Sequence, residues 1–205
     1  MLTVQDLQAR RGRRVLFSGL GLTAGAGQLL RVTGANGAGK TTLLRMMVGL
    51  STPTAGQVRW RDAPIAAQRD AFHRELVYLG HAAALKDDLT ALENLLAMCV
   101  LGGDAVRPAE AAAALADAGL KGRERLPARV LSQGQRRRVA LARLVLASER
   151  ALWVLDEPFN ALDTAATGWL AGLVQARLAG GGIVVLTSHQ AVPVDGHVEQ
   201  VTVEL

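Results

Sequence analysis

Apolar and polar residues alternate at the start of the chain, with Leu2, Val4 and Leu7 followed by Val15, Phe17, Leu20 and Leu22. This period of two, interrupted by Gly-Arg and Gly-Ala-Gly, predicts short strands joined by turns. A compact strand is predicted over 28–33. The period then lengthens: Leu43, Leu44, Met47 and Leu50 share one face of a helix over 41–50. A Thr-Pro-Thr-Ala-Gly turn leads to a strand over 57–60, a short helix over 66–74 and a strand over 76–79.

From 81 to 127 the strand pattern stops. Thr90-Ala91-Leu92-Glu93 is a capping box, whose hydroxyl and carboxylate satisfy backbone N–H groups reciprocally, and it predicts a helix running to Leu101. Pro108 opens an Ala-rich helix ending near Gly119. An all-helical insert (81–127) therefore interrupts an α/β core (1–80 and 128–205) within one domain spanning 1–205. The second part of the core holds a helix over 133–147, with Val139, Leu141, Leu144 and Val145 on its apolar side. It continues with a buried strand over 151–155, a helix over 163–178, a second buried strand over 183–187 and an alternating closing strand over 197–205.

Composition narrows the picture. The chain is 50% hydrophobic and 20% charged, as a globular protein is. No apolar run reaches the roughly 18–20 residues a spanning helix needs, and the start, with Asp6 and no apolar core segment, predicts no signal peptide. Cys99 is the only cysteine, which excludes an internal disulfide or a cysteine metal cluster and suits a reducing compartment. The net charge is +5, with arginines at Arg10-Arg11, Arg13-Arg14 and Arg136-Arg137-Arg138. Such clusters fit solvated faces, a weak attraction to an anionic membrane surface, or nucleic acid. Aromatics make up only 3% of residues and do not interleave with the arginines to stack on bases, so no nucleic acid is expected.

The chemistry is concentrated in Gly34-Ala35-Asn36-Gly37-Ala38-Gly39-Lys40-Thr41-Thr42. Lying between a strand and a helix, it matches G-x-x-x-x-G-K-[ST] at every position. Glycines allow a tight loop whose N–H groups surround phosphates, and the helix N-terminus adds its positive end. Lys40 supplies a compact charge for the β- and γ-phosphates, and the Thr41 hydroxyl can ligate Mg²⁺. ATP and Mg²⁺ are the expected cofactors. Downstream, the apolar strand ending in Asp156-Glu157 puts two carboxylates at a strand tip. Asp156 can serve the metal, and Glu157 can act as general base on the attacking water.

Leu131-Ser132-Gln133-Gly134-Gln135 opens the next helix and offers a second anion-binding surface. Here the chain resembles the ATP-binding cassette (ABC) ATPases, whose signature the stretch LSQGQ matches. The resemblance covers essentially the whole chain. It implies a phosphate-loop NTPase fold of the ABC type: a RecA-like mixed-sheet core, an N-terminal antiparallel β part and a helical insert. It also implies a homodimer in which the signature of one subunit closes over the γ-phosphate held by the other. Asn160-Ala161-Leu162-Asp163 resembles the family's D-loop, and His189, after the 183–188 strand, its switch histidine. The turn from Gly49-Leu50 through Pro53 to Gly56 is similar as well.

Two positions depart from the family pattern. Gly80-His81 stands where most members carry a glutamine near Mg²⁺ and the attacking water, so His81 is the candidate there. The usual adenine-stacking aromatic has no counterpart near Arg11, and Phe17 is expected to be a core strand residue. Within the family, Leu79-Gly80-His81, the 89–95 and 136–143 segments, 152–159 and 182–190 are similar to the ATPases of bacterial haem exporters for cytochrome c maturation. That resemblance implies a membrane-spanning partner (CcmB-like) and a peripheral position on the cytoplasmic face of the inner membrane. Haem is not expected to bind this chain directly, since it holds no Cys-x-x-Cys-His.

Three alternatives remain at this point. An ABC exporter of a drug, lipid or ion would share all the chemistry. A DNA-repair ABC ATPase would insert a long coiled coil between phosphate loop and signature, whereas the gap of about 90 residues here shows no sustained heptads. A small-molecule kinase or GTPase would leave the signature unexplained.

Overall fold

Two sheets share the strands. β1 (Leu2–Arg11) and β2 (Arg14–Ala24) form an antiparallel hairpin closed over Gly12-Arg13, with Arg11 opposite Arg14. β4 (Ala55–Trp60) pairs antiparallel with the other edge of β1 and carries the short β5 (Ala63–Pro64). The second sheet runs β6-β7-β8-β3-β9, from β3 (Leu29–Thr33), β6 (Leu76–Leu79), β7 (Leu152–Leu155), β8 (Ile183–Thr187) and β9 (Gln200–Glu204). Every pairing in it is parallel among the described residues. The expected mixture of pairings is thus divided between the sheets. The reason lies in burial: β7 and β8 are buried at every position, as strands covered on both faces must be. This computed structural model describes residues 1–188, 192–194 and 199–205. His189 and the start of the expected closing strand lie outside them.

α1 (Lys40–Met47) follows β3 and sinks Leu43, Leu44 and Met47 into a core with Leu2, Leu7, Val32, Val58, Trp60 and Phe72. It stops before Leu50, where a helix to 50 was expected. Gly49 turns to φ 74°, the Leu50 N–H donates back to the Arg45 carbonyl, and Leu50 is left 57% exposed. The helix expected over 66–74 is split into a 3₁₀ turn (Ile65–Ala67) and α2 (Arg69–Arg74). Between them the Gln68 amide donates to the Trp60 and Ala63 carbonyls.

The remaining helices are α3 (Ala91–Leu101), α4 (Pro108–Leu115), α5 (Gln133–Leu141), α6 (Arg143–Leu146) and α7 (Thr164–Ala179). α4 ends in a widened turn, Ala116–Leu120, that closes on Gly119 at φ 73°. The single helix expected over 133–147 is interrupted at Ala142, where ψ shallows to −22° and the Val145 N–H reaches only three residues back. No proline or glycine marks that tightening. Leu95, Cys99, Leu115 and Leu120 bury together with Val139 and Ala142, so the helices of 91–120 share a core with the segment after the signature.

The Thr90–Glu93 capping box is formed in full. Its backbone and hydroxyl hydrogen bonds hold the Glu93 carboxyl below the ordinary glutamate value. Thr90→Ala is expected to lower stability by about 1 kcal/mol, the usual worth of an N-cap, measured by urea unfolding. The part owed to Glu93 is present above the ordinary carboxylate pKa and fades as pH falls through its lowered folded value.

Candidate nucleotide site

The parallel sheet brings three strand ends to one edge. β3 leads into the loop at Gly34, β7 into Asp156-Glu157, and β8, between them, ends in Thr187. Parallel α/β sheets place ligands at this edge. The loop needs its glycines. Gly34 sits at φ 136°, and a Cβ there would lie 2.7 Å from the Leu205 carbonyl oxygen. Gly39, at φ 118°, rests on the ring of Phe17, where a Cβ would lie at 3.2 Å. Phe17 is therefore partly buried beneath the loop and packed on the core.

Lys40 folds its ammonium over the loop, donating to the carbonyls of Gly34 (2.8 Å) and Ala35 (3.3 Å). The Thr41 hydroxyl donates to Asp156 Oδ2 at 2.7 Å. The other Asp156 oxygen accepts from Thr187 Oγ1 at 2.8 Å, and that hydroxyl in turn accepts from the Glu157 N–H at 2.7 Å. A buried carboxylate with a hydroxyl beside it, 115 residues apart in sequence, is a pair of hard oxygen donors that fits Mg²⁺. Glu157 is only 8% exposed and holds φ 49°, a left-handed conformation costly for a residue with a Cβ.

These groups line one cleft of about 580 Å³. Asn36, Gly37, Gly39, Lys40, Thr41 and Thr42 form one wall, His81, Asp156, Glu157 and Asn160 another, and Arg11 and Leu16 close one end. His81 lines the cleft and is exposed. Ala35 and Ala38 lie in the loop, joined by the Ala38 N–H to the Ala35 carbonyl.

The signature lies elsewhere. Ser132 caps α5, accepting from the Gln135 N–H while the Gln135 side chain accepts from the Ser132 N–H. Leu131 is buried, and Ser132 and Gln133 are exposed. Gly134 presses on the second segment singled out by resemblance: a Cβ there would lie 2.5 Å from the Ala161 carbonyl oxygen. Ala161 itself is left-handed, at φ 62°. Leu162 packs into the core under α7, and Asp163 caps α7 through the Ala166 N–H. So 131–135 and 160–163 adjoin, yet among the described residues none of 131–135 lines the cleft.

Sequence reasoning missed two residues. Thr187 is the only polar side chain on β8, at its tip; its hydroxyl donates to the Asp156 carboxylate and accepts from the Glu157 backbone N–H. Arg137 lay unnoticed within an arginine run but is 5% exposed, and its guanidinium reaches Gly80, His81, Asp156, Glu157 and Pro158. Burial lowers its pKa, opposed by the charges of Asp156 and Glu157.

A second groove adjoins the cleft through His81, lined also by Leu50, Tyr78, Met98, Leu101 and Arg143. Leu101, in its lining, is 88% exposed.

The ABC transporter family model matches residues 17–160. A cytochrome c biogenesis ATP-binding export protein CcmA from Aromatoleum aromaticum is 54% identical over 193 residues, covering 94% of this chain and 90% of that protein. The protein of the same description from Dechloromonas aromatica is 52% identical over 192 residues, covering 94% of each. Among solved structures, a dimeric bacterial ABC transporter cassette superposes with a TM-score of 0.83 at 23% identity, over 100% of this chain and 94% of that one.

Proposed function

From membership of the ABC transporter family, to which this chain belongs as an ATP-binding subunit of the CcmA, cytochrome c biogenesis export type, we propose that two copies clasp two ATP·Mg²⁺ head to tail. In each site one copy supplies Gly34 to Thr42, His81, Asp156, Glu157 and His189. The other supplies Ser132 to Gln135, and Asn160 to Asp163 join the two copies beside the site. The observation that carries the reading is the Thr41–Asp156 pair inside a cleft walled by the phosphate loop.

Lys40 donates to two carbonyls of the loop, which keeps its charge where the β- and γ-phosphates would lie. Thr41 and Asp156 would hold Mg²⁺, which would supply positive charge against the developing phosphate charge. Glu157 accepts a proton from the attacking water. Ser132 and the N-terminus of α5 add N–H donors across the dimer. Closure completes the site, and hydrolysis and phosphate release reopen it.

No helix is long and apolar enough to cross a membrane among the described residues. The chain lies peripherally on the cytoplasmic face of the bacterial inner membrane, docked on a CcmB-like spanning subunit through the groove at His81, Met98 and Leu101. Exposed Leu101 in its lining favours that face. Haem handling belongs to the membrane subunits. The test is isolation of the chain from native membranes with and without ATP and vanadate. A membrane-spanning subunit is expected to co-purify, and its retention is expected to change with nucleotide. Recovery with DNA, in a salt-sensitive manner, would refute the reading.

A further inference from the structure

The Arg137 guanidinium is buried at the junction of three segments. Its Nη1 donates to the Gly80 carbonyl at 2.8 Å and the His81 carbonyl at 3.0 Å. Its Nη2 donates to the Asp156 carbonyl at 2.7 Å and the Glu157 carbonyl at 3.0 Å. Its Nε points at the Pro158 carbonyl at 3.5 Å. Five carbonyls from two loops, 19 to 57 residues away in sequence, thus converge on one planar cation. Lysine cannot reproduce that fork, because an ammonium is a point donor and a guanidinium spreads five N–H groups in a plane.

We infer that Arg137 is a positioning residue for hydrolysis, which fixes the Glu157 carboxylate on the attacking-water side and ties it to His81. The inference rests on the ATPase reading above. Its physical basis is the left-handed backbone of Glu157, at φ 49°. A residue with a Cβ keeps such a conformation only when its surroundings over-determine it. Here both flanking peptide groups are held: the Glu157 N–H by Thr187 Oγ1 at 2.7 Å, and its carbonyl by Arg137. Releasing one side lets the backbone relax toward the common regions and swings the carboxylate away. The same cation holds the His81 carbonyl, and His81 lines both the nucleotide cleft and the adjoining groove. Arg137 itself sits on α5, which starts at Ser132. A shift of α5 or of the 80–81 loop is therefore transmitted to Glu157 through one side chain.

The experiment compares Arg137→Met and Arg137→Lys with the native full-length chain. It measures kcat and KM for MgATP, ATP affinity and the unfolding midpoint. Arg137 touches no phosphate-loop residue in the bonds described, and it holds only the Asp156 carbonyl, whose carboxylate is fixed separately by Thr41 and Thr187, so ATP affinity and KM are expected to stay within about threefold. The kcat is expected to fall about 100-fold in Arg137→Met and about 10-fold in Arg137→Lys, which keeps the charge but only part of the fork. A merely structural arginine would lower stability without splitting kcat from KM. Should Arg137→Met fail to fold, Arg137→Lys decides. Native kcat in either folded variant, or a loss of ATP affinity in proportion to kcat, overturns the inference while leaving the ATPase reading intact. A native chain that hydrolyses no ATP overturns both.

Discussion

Glu157→Gln is expected to bind ATP as the native chain does and to turn it over about 10²–10⁴-fold more slowly, the range that a general base contributes. The expectation follows from the separation of duties in the cleft. In the proposed site, phosphate contacts would come from the loop at 34–42, and the metal would be held by Thr41 and Asp156, which are joined at 2.7 Å. The Glu157 side chain belongs to neither set. Its backbone N–H is taken by Thr187 and its carbonyl by Arg137, and neither bond involves the carboxylate. The amide replaces a proton acceptor by a group of the same size that cannot take a proton from water at neutral pH. The closed dimer should then accumulate, because closure needs ATP and reopening needs hydrolysis. Single-turnover hydrolysis and size-exclusion chromatography with ATP check both parts. Normal turnover by Glu157→Gln would refute the assignment of Glu157 as base.

The phosphate loop was legible in the sequence because its chemistry dictates residue types at fixed spacing: only glycine tolerates φ 136° at position 34 with the Leu205 carbonyl so close. The Thr90–Glu93 box was legible for the same reason, since a cap is a local bond between residues three apart. The buried β7 and β8 could be recognised as short apolar runs. The order β6-β7-β8-β3 could not, because it depends on which strand ends meet across the sheet. Thr187 and Arg137 are invisible for that reason. Thr187 serves a carboxylate 31 residues away, and Arg137 a carbonyl 57 residues away. An arginine in a run of three gives no sign of being the buried one until α5 is placed against the 156–158 turn. The break at Ala142 has no sequence marker either, since alanine suits a continuous helix.

Two dead variants should restore activity to each other. Lys40→Met removes the charge that grips phosphate, and Ser132→Arg obstructs the exposed signature turn, so each alone is expected to lose at least about 100-fold in turnover. Among the described residues none of 131–135 lines the cleft of its own copy, and Ser132 and Gln133 are exposed. A site that needs an N-terminal α5 donor must therefore take it from a second copy. In a mixed dimer of the two variants, one site combines both lesions, and the other combines a native loop with a native signature. Random pairing makes half the dimers mixed, each with one intact site of two, so about a quarter of native turnover is expected if the two sites act independently. Coupling between sites would lower that figure without abolishing it. Ser132→Arg also loses an N-cap worth about 1 kcal/mol, so folding of each variant is verified by circular dichroism before mixing. If sites were instead complete within one copy, every copy in the mixture would carry its own lesion and no activity would return. A mixture as inactive as its components, beside an active native protein, would therefore remove the shared-site arrangement.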